Sequence, residues 1–129
     1  MAAEALRTCS AGDRGAAAWV LGVGKSGKVG ARLAATLRSM ALRCSSLDTN
    51  ELFHGDLGAI GQGDVCFVLS QSGNTRESVA ALAHLERKGA HVVLLVGGPG
   101  SAMEIEARRL NEIRADAVAQ EVELAGTAP

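Results

Sequence analysis

The chain has 129 residues, enough for one domain with one core, and its 47% hydrophobic and 21% charged content is that of an ordinary globular protein. A formal net charge of −1 without a basic block excludes a sequence-independent grip on nucleic acid or acidic membranes, and 2% aromatics with no Tyr leaves no stacking platform for single strands. No apolar stretch nears the roughly 18 residues of a membrane span, and the Met-Ala-Ala-Glu-Ala start lacks the basic-then-apolar order of a secretory signal.

Residues 2–8 suit a short helix, and Ser10-Ala-Gly-Asp-Arg-Gly15 reads as a loop. Residues 17–23 form an apolar run ending in glycines, a buried strand. Residues 28–40 carry Val29, Leu33, Leu37 and Met40 at helical spacing, which predicts a helix with those four on its buried face. Residues 43–47 are a short strand, and 49–60 form a polar, Gly-interrupted connection with room for one or two helical turns. Gly61-Gln-Gly-Asp64 is a turn before Val65-Cys-Phe-Val-Leu69, the clearest strand in the chain. Residues 75–88 are helical with Val79, Leu82 and Leu85 on one face and Gly89 as the stop. Residues 91–96 are a fourth strand, Gly97-Gly-Pro-Gly100 breaks the chain, 101–114 are helical, and 117–122 are a weak fifth strand.

Strand and helix alternate, and the continuous Val/Leu runs suit strands covered on both faces. The expectation is an α/β three-layer αβα sandwich on a five-stranded parallel sheet in flavodoxin-like order, 2-1-3-4-5, with right-handed crossovers. Residues 1–16 read as an N-terminal helix and loop and 17–129 as the single domain. The cysteines, Cys9, Cys44 and Cys66, are odd in number and form no CxxC, so a disulfide framework or zinc site is not expected. Cys66, in an apolar strand, reads as a small buried hydrophobe. This usage suits a reducing, cytoplasmic setting.

Two loops carry the chemistry. Gly22-Val-Gly24-Lys-Ser-Gly27 follows the first strand and opens a helix, as G-x-G-x-x-G does in dinucleotide-binding folds, and Asp48 lies where a ribose-binding acid would. Lys25 intrudes on that reading. Gly24-Lys-Ser26 fails as a P-loop, because Trp19 stands where that motif needs its first glycine. The second loop, Ser70-Gln-Ser-Gly-Asn-Thr75, puts three hydroxyls within six residues at a strand-to-helix junction, where unpaired N–H groups and positive helix potential suit a phosphate. Plain capping competes, with Asn74 as N-cap and Glu77 at N3. In the 2-1-3-4-5 order both loops face one crevice, which points to one phosphate ester held between them.

These residues resemble the sugar isomerase (SIS) domain family. Val20-Leu-Gly-Val-Gly-Lys-Ser-Gly27 and Leu69-Ser-Gln-Ser-Gly-Asn-Thr75 are similar to its two signature loops. Phe53-His-Gly-Asp-Leu-Gly58 resembles the His-Gly-Asp-Leu-Gly stretch of the D-arabinose 5-phosphate isomerases. The resemblance implies binding of a pentose 5-phosphate, no cofactor or metal, and assembly as a homodimer or homotetramer. It implies interconversion of D-ribulose 5-phosphate and D-arabinose 5-phosphate; the alternative is a non-catalytic sugar-phosphate-binding regulatory module. The residues it assigns to catalysis are Lys25, His54, Glu77 and Glu121, the last within a stretch that resembles a family segment ending in Ala-Pro. Gly24, Ser26, Ser70, Ser72, Gly73 and Thr75 fall to the phosphate, while Asp56 reads as fixing its own turn. The family pattern continues beyond Ala-Pro with a helix and a catalytic histidine. This chain is expected to lack both, together with the regulatory CBS domains, and one sheet face is then expected to need a partner.

Overall fold

The structure, a computed structural model, describes residues 6–10, 15–97 and 99–111. Four strands, β1 (Ala18–Gly22), β2 (Cys44–Asp48), β3 (Val65–Ser70) and β4 (His91–Val96), form a parallel sheet in the order β2-β1-β3-β4. That order and direction are the expected ones as far as the described residues run. The expected fifth strand at 117–122 lies outside them. Helix α1 (Lys25–Ser39) follows β1, α2 (Thr49–Leu52) follows β2, a 3-10 turn spans Asp56–Ala59, and α3 (Arg76–Arg87) follows β3. Residues 102–111 form α4. Among the described residues no helix is long and apolar enough to cross a membrane.

Two cores lie on opposite faces of the sheet, as three layers require. On one face Leu21, Cys66 and Val68 pack with Leu52 of α2, Ala81, Leu82 and Leu85 of α3, and Met103 of α4. On the other, Val20, Val65 and Leu69 pack with Ala34 of α1 and with Cys9 and Cys44. β1 and β3 are buried almost throughout, whereas β2 and β4 are partly exposed. Central strands meet side chains on both faces, which is why their sequences are continuous apolar runs.

The first helix corrects the sequence expectation. It begins at Lys25, not 28, and its buried residues are Gly30 and Ala34. Leu33 and Leu37 pack at the margin, while Val29 and Met40 are 58% and 66% exposed. The cause is close approach. A Cβ on Gly22 would lie 2.6 Å from the carbonyl carbon of Ser26, and one on Gly30 would lie 3.0 Å from Val20 Cγ1. A helix seated this near its strand turns small side chains inward, and the larger ones move to the sides.

The amino edge of the sheet is fastened by Asp64, which is 7% exposed. Its Oδ1 accepts from the Ala17 N–H over 3.0 Å, and its Oδ2 accepts from Trp19 Nε1 and the Gly61 N–H, both over 2.9 Å. One carboxylate thus joins the starts of β1 and β3. Arg43 donates to the Ala16 carbonyl nearby. Asp64→Ala leaves three donors without their acceptor and should lower stability by about 3 kcal/mol in urea unfolding.

The Cys66 thiol, fully buried, is pushed from its usual value of 9.0 up to about 12, by burial first and by the Asp64 charge second. The unfolded chain loses this proton above pH 9 while the fold keeps it. Stability from this group is therefore complete below pH 9 and declines as pH rises toward 12. Urea unfolding across that range should show a decline that is shallower in Cys66→Ala.

Candidate functional site

The register places the strand ends together. Gly22 pairs with Asp48, and Leu21 pairs with Val68, so β3 runs on to Ser70 beside the first loop. The loops after β1 and β3 thus emerge side by side at the carboxyl edge, and their helices pack on opposite faces. This is the crevice position of open parallel sheets.

The first loop ends in Gly24, with φ 59° and no neighbour within 4 Å of a Cβ. Gly24 is the N-cap of α1, and no side chain caps that helix. Lys25, exposed, and Ser26, half-buried, are its first two residues. An uncapped first turn leaves N–H groups directed outward with the positive end of the helix dipole behind them.

The second loop is held by its own hydroxyls. Ser70, 4% exposed, accepts from the Gly73 N–H over 3.0 Å, and its Oγ lies 3.0 Å from Thr75 Oγ1. The exposed Ser72 accepts from the Asn74 N–H over 3.1 Å, which leaves its own hydroxyl hydrogen to give. Thr75 is the N-cap of α3, yet its side chain makes no capping bond. Asn74 instead turns its Oδ1 to the Ala102 N–H, over 2.9 Å. The capping-box reading of Asn74 and Glu77 is therefore overturned: no side chain caps α3. Glu77 sits half-buried as the second residue of α3.

Between the loops lies an open cleft of about 420 Å³ lined by Lys25, Ser26 and Ser70 together with Val29, Leu69, Gln71, Leu95, Val96 and Gly97. Of the residues singled out in the sequence, it gathers Lys25, Ser26 and Ser70. Ser72, Gly73, Thr75 and Glu77 belong to the adjoining loop and helix start but not to the cleft wall. His54, exposed, follows α2 at the same sheet edge and also stands outside that wall. Glu121 lies outside the described residues.

Asp48, weighed above for a ribose role, caps α2, its Oδ1 accepting from the Asn50 N–H over 2.9 Å. The turn at Asp56 is closed by backbone, with Gly58 N–H donating to the Gly55 carbonyl. The apolar wall of Val29, Leu95 and Val96 was missed, since helical spacing put Val29 in the core and nothing marked Leu95. Among the described residues no three His, Cys, Asp or Glu side chains gather to hold a metal ion.

Gly73, at φ +70°, packs against the start of α4: a Cβ there would lie 2.4 Å from Ser101 Cβ and Oγ. Gly73→Ala should therefore destabilise the protein by more than about 2 kcal/mol. Adding Ser101→Gly should recover part of this loss, with the positive φ keeping the rest. A double-mutant cycle by urea unfolding measures the coupling.

The model of the SIS domain matches residues 17–127 of the chain. Arabinose 5-phosphate isomerase KdsD of Pseudomonas aeruginosa is 40% identical over 84 residues, which are 65% of this chain and 26% of that protein. Arabinose 5-phosphate isomerase GutQ of Escherichia coli is 34% identical over 108 residues, 84% of this chain and 34% of that protein. Among solved structures, c3406 of Escherichia coli CFT073 in complex with A5P superposes with a TM-score of 0.70 at 32% identity, covering 80% of this chain and 52% of that one. The chain thus spans about a quarter to a third of the curated relatives it matches.

Proposed function

The chain belongs to the SIS domain family, and on that premise we propose that it binds a pentose 5-phosphate and interconverts D-ribulose 5-phosphate and D-arabinose 5-phosphate. One observation carries the binding half. Two helices, α1 and α3, begin without side-chain caps at the carboxyl ends of neighbouring parallel strands, beside a cleft. Hydroxyls that could have capped α3 hold the loop in shape instead. A phosphate would supply the acceptors that both helix ends lack. The relatives named for this isomerisation, and the neighbour holding A5P, supply the choice of sugar.

The isomerisation is a proton transfer through an enediolate. A base takes the proton from C2 of the aldose, and the C–H electron pair forms the C1=C2 bond as charge develops on O1. A proton then reaches C1, O1 is protonated, and O2 gives up its proton to become the carbonyl oxygen. In this reading the Lys25 ammonium stands by the developing charge. Glu77 and Glu121 are the carboxylates proposed to carry protons, and His54 to assist ring opening. Gly24, Ser26, Ser72 and the backbone around Gly73 hold the phosphate, with Ser70 and Thr75 keeping the loop in form. Residues 17–129 act as one phosphosugar domain, assembled as a homodimer or homotetramer.

The competing reading is binding without turnover, favoured by a cleft wall that gathers Lys25, Ser26 and Ser70 but neither His54 nor Glu77. Incubation with ribulose 5-phosphate in deuterated water separates the two. Deuterium entering at C1 or C2 supports the isomerase. Binding without exchange in folded protein replaces it with the binding module, and absence of binding refutes both. Ser72→Ala should weaken phosphosugar binding by about 1.5–3 kcal/mol in calorimetric titration, through loss of one donor to a charged acceptor.

A further inference from the structure

The start of α4 grips the second loop. The Ala102 N–H donates to Asn74 Oδ1 and the Met103 N–H to the Gly73 carbonyl, each over 2.9 Å. The Gly97 N–H donates to the Gln71 carbonyl over 2.9 Å. Asn74 also faces inward along its own loop. Its Nδ2 donates to the Ser72 carbonyl over 3.2 Å, and its backbone N–H donates to Ser72 Oγ over 3.1 Å. One side chain thus ties the loop's exposed hydroxyl residue to a helix 28 positions further along the chain.

We propose that Asn74 is a positioning residue for the anion site: it fixes Ser72 and the neighbouring loop amides by anchoring them on α4. The proposal rests on the phosphosugar reading of the same crevice. It explains the residue type, because the position needs a donor and an acceptor on one short planar side chain, and only an amide supplies both. The acceptor must face Ala102, since an N–H approaches from there, so the network fixes the amide's orientation. Aspartate would keep that acceptor, at a helix start that favours negative charge. It would lose the donor toward Ser72 and set a carboxylate beside the bound anion.

Asn74→Asp and Asn74→Ala therefore separate holding the fold from holding the ligand. Both variants and the wild type would be titrated with inorganic phosphate and with D-arabinose 5-phosphate, and unfolded in urea. Asn74→Ala should lose stability and bind both ligands about ten-fold more weakly. Asn74→Asp should keep more stability than Asn74→Ala, because it retains the acceptor for Ala102, yet bind more weakly still. Hydrogen exchange should add a direct sign, with phosphate slowing the Ala102 amide in the wild type and not in Asn74→Ala. Wild-type affinity in either variant overturns the positioning role, as does phosphate-independent exchange at Ala102 in a wild type that binds. A wild type that binds neither ligand overturns the phosphosugar reading, and this role with it.

Discussion

Everything at the candidate site depends on the parallel pairing of β1 with β3, from Ala18 opposite Val65 to Leu21 opposite Val68. Two parallel neighbours end at the same edge, and here their helices leave toward opposite faces of the sheet. A crevice must then open between the two loops. The pairing is secured at its far end by Asp64, whose two oxygens take three donors from the β1 start and the preceding turn. The floor of the site is thus set by a buried carboxylate at the opposite edge of the sheet.

At the carboxyl edge the distribution of hydrogen bonds is uneven. The first N–H groups of α4 are occupied by the second loop, and α2 is capped by Asp48. The helices that follow the two loops, α1 and α3, have no side-chain cap. Helix α1 also begins with a cation, Lys25, and has no acid in its first turn, where the helix dipole favours negative charge, whereas α3 begins with Arg76 followed by Glu77. Among the described residues, a side-chain cap is thus missing at two adjacent helix starts, α1 and α3, and present at α2 and α4. Such a pattern is expected where ligand binding, not stability, has set the residues.

The wall of the cleft adds a second character. Val29 and Leu95 are exposed beside Leu69 and Val96, so the polar loops stand next to an apolar surface. That surface follows from the packing of α1. Gly22 and Gly30 let the helix sit against β1, Gly30 and Ala34 fill the narrow contact, and Val29 is turned outward along the helix flank.

Much of the fold was legible from residue order alone. Apolar runs with glycine nearby located β1, β3 and β4, β2 was read as a short strand without such a signal, and Leu82 and Leu85 marked the buried face of α3. The face of α1 was not legible, because a stripe of small residues carries no hydrophobic signal; its inward placement depends on a backbone separation that one segment cannot express. The two loops and their residue types were likewise plain in the sequence. The division of labour within them was not. Ser70, Ser72 and Thr75 look alike as three hydroxyls, and Asn74 looks like the cap of the helix that follows it. The sequence by itself determined the alternation of strands and helices and where an anion could be met. Only the tertiary structure decided that Ser70 and Thr75 bond to each other and that Asn74 serves α4, because a side chain's partner is chosen among groups that folding brings near, and Ala102 approaches Asn74 only once β4 has paired with β3.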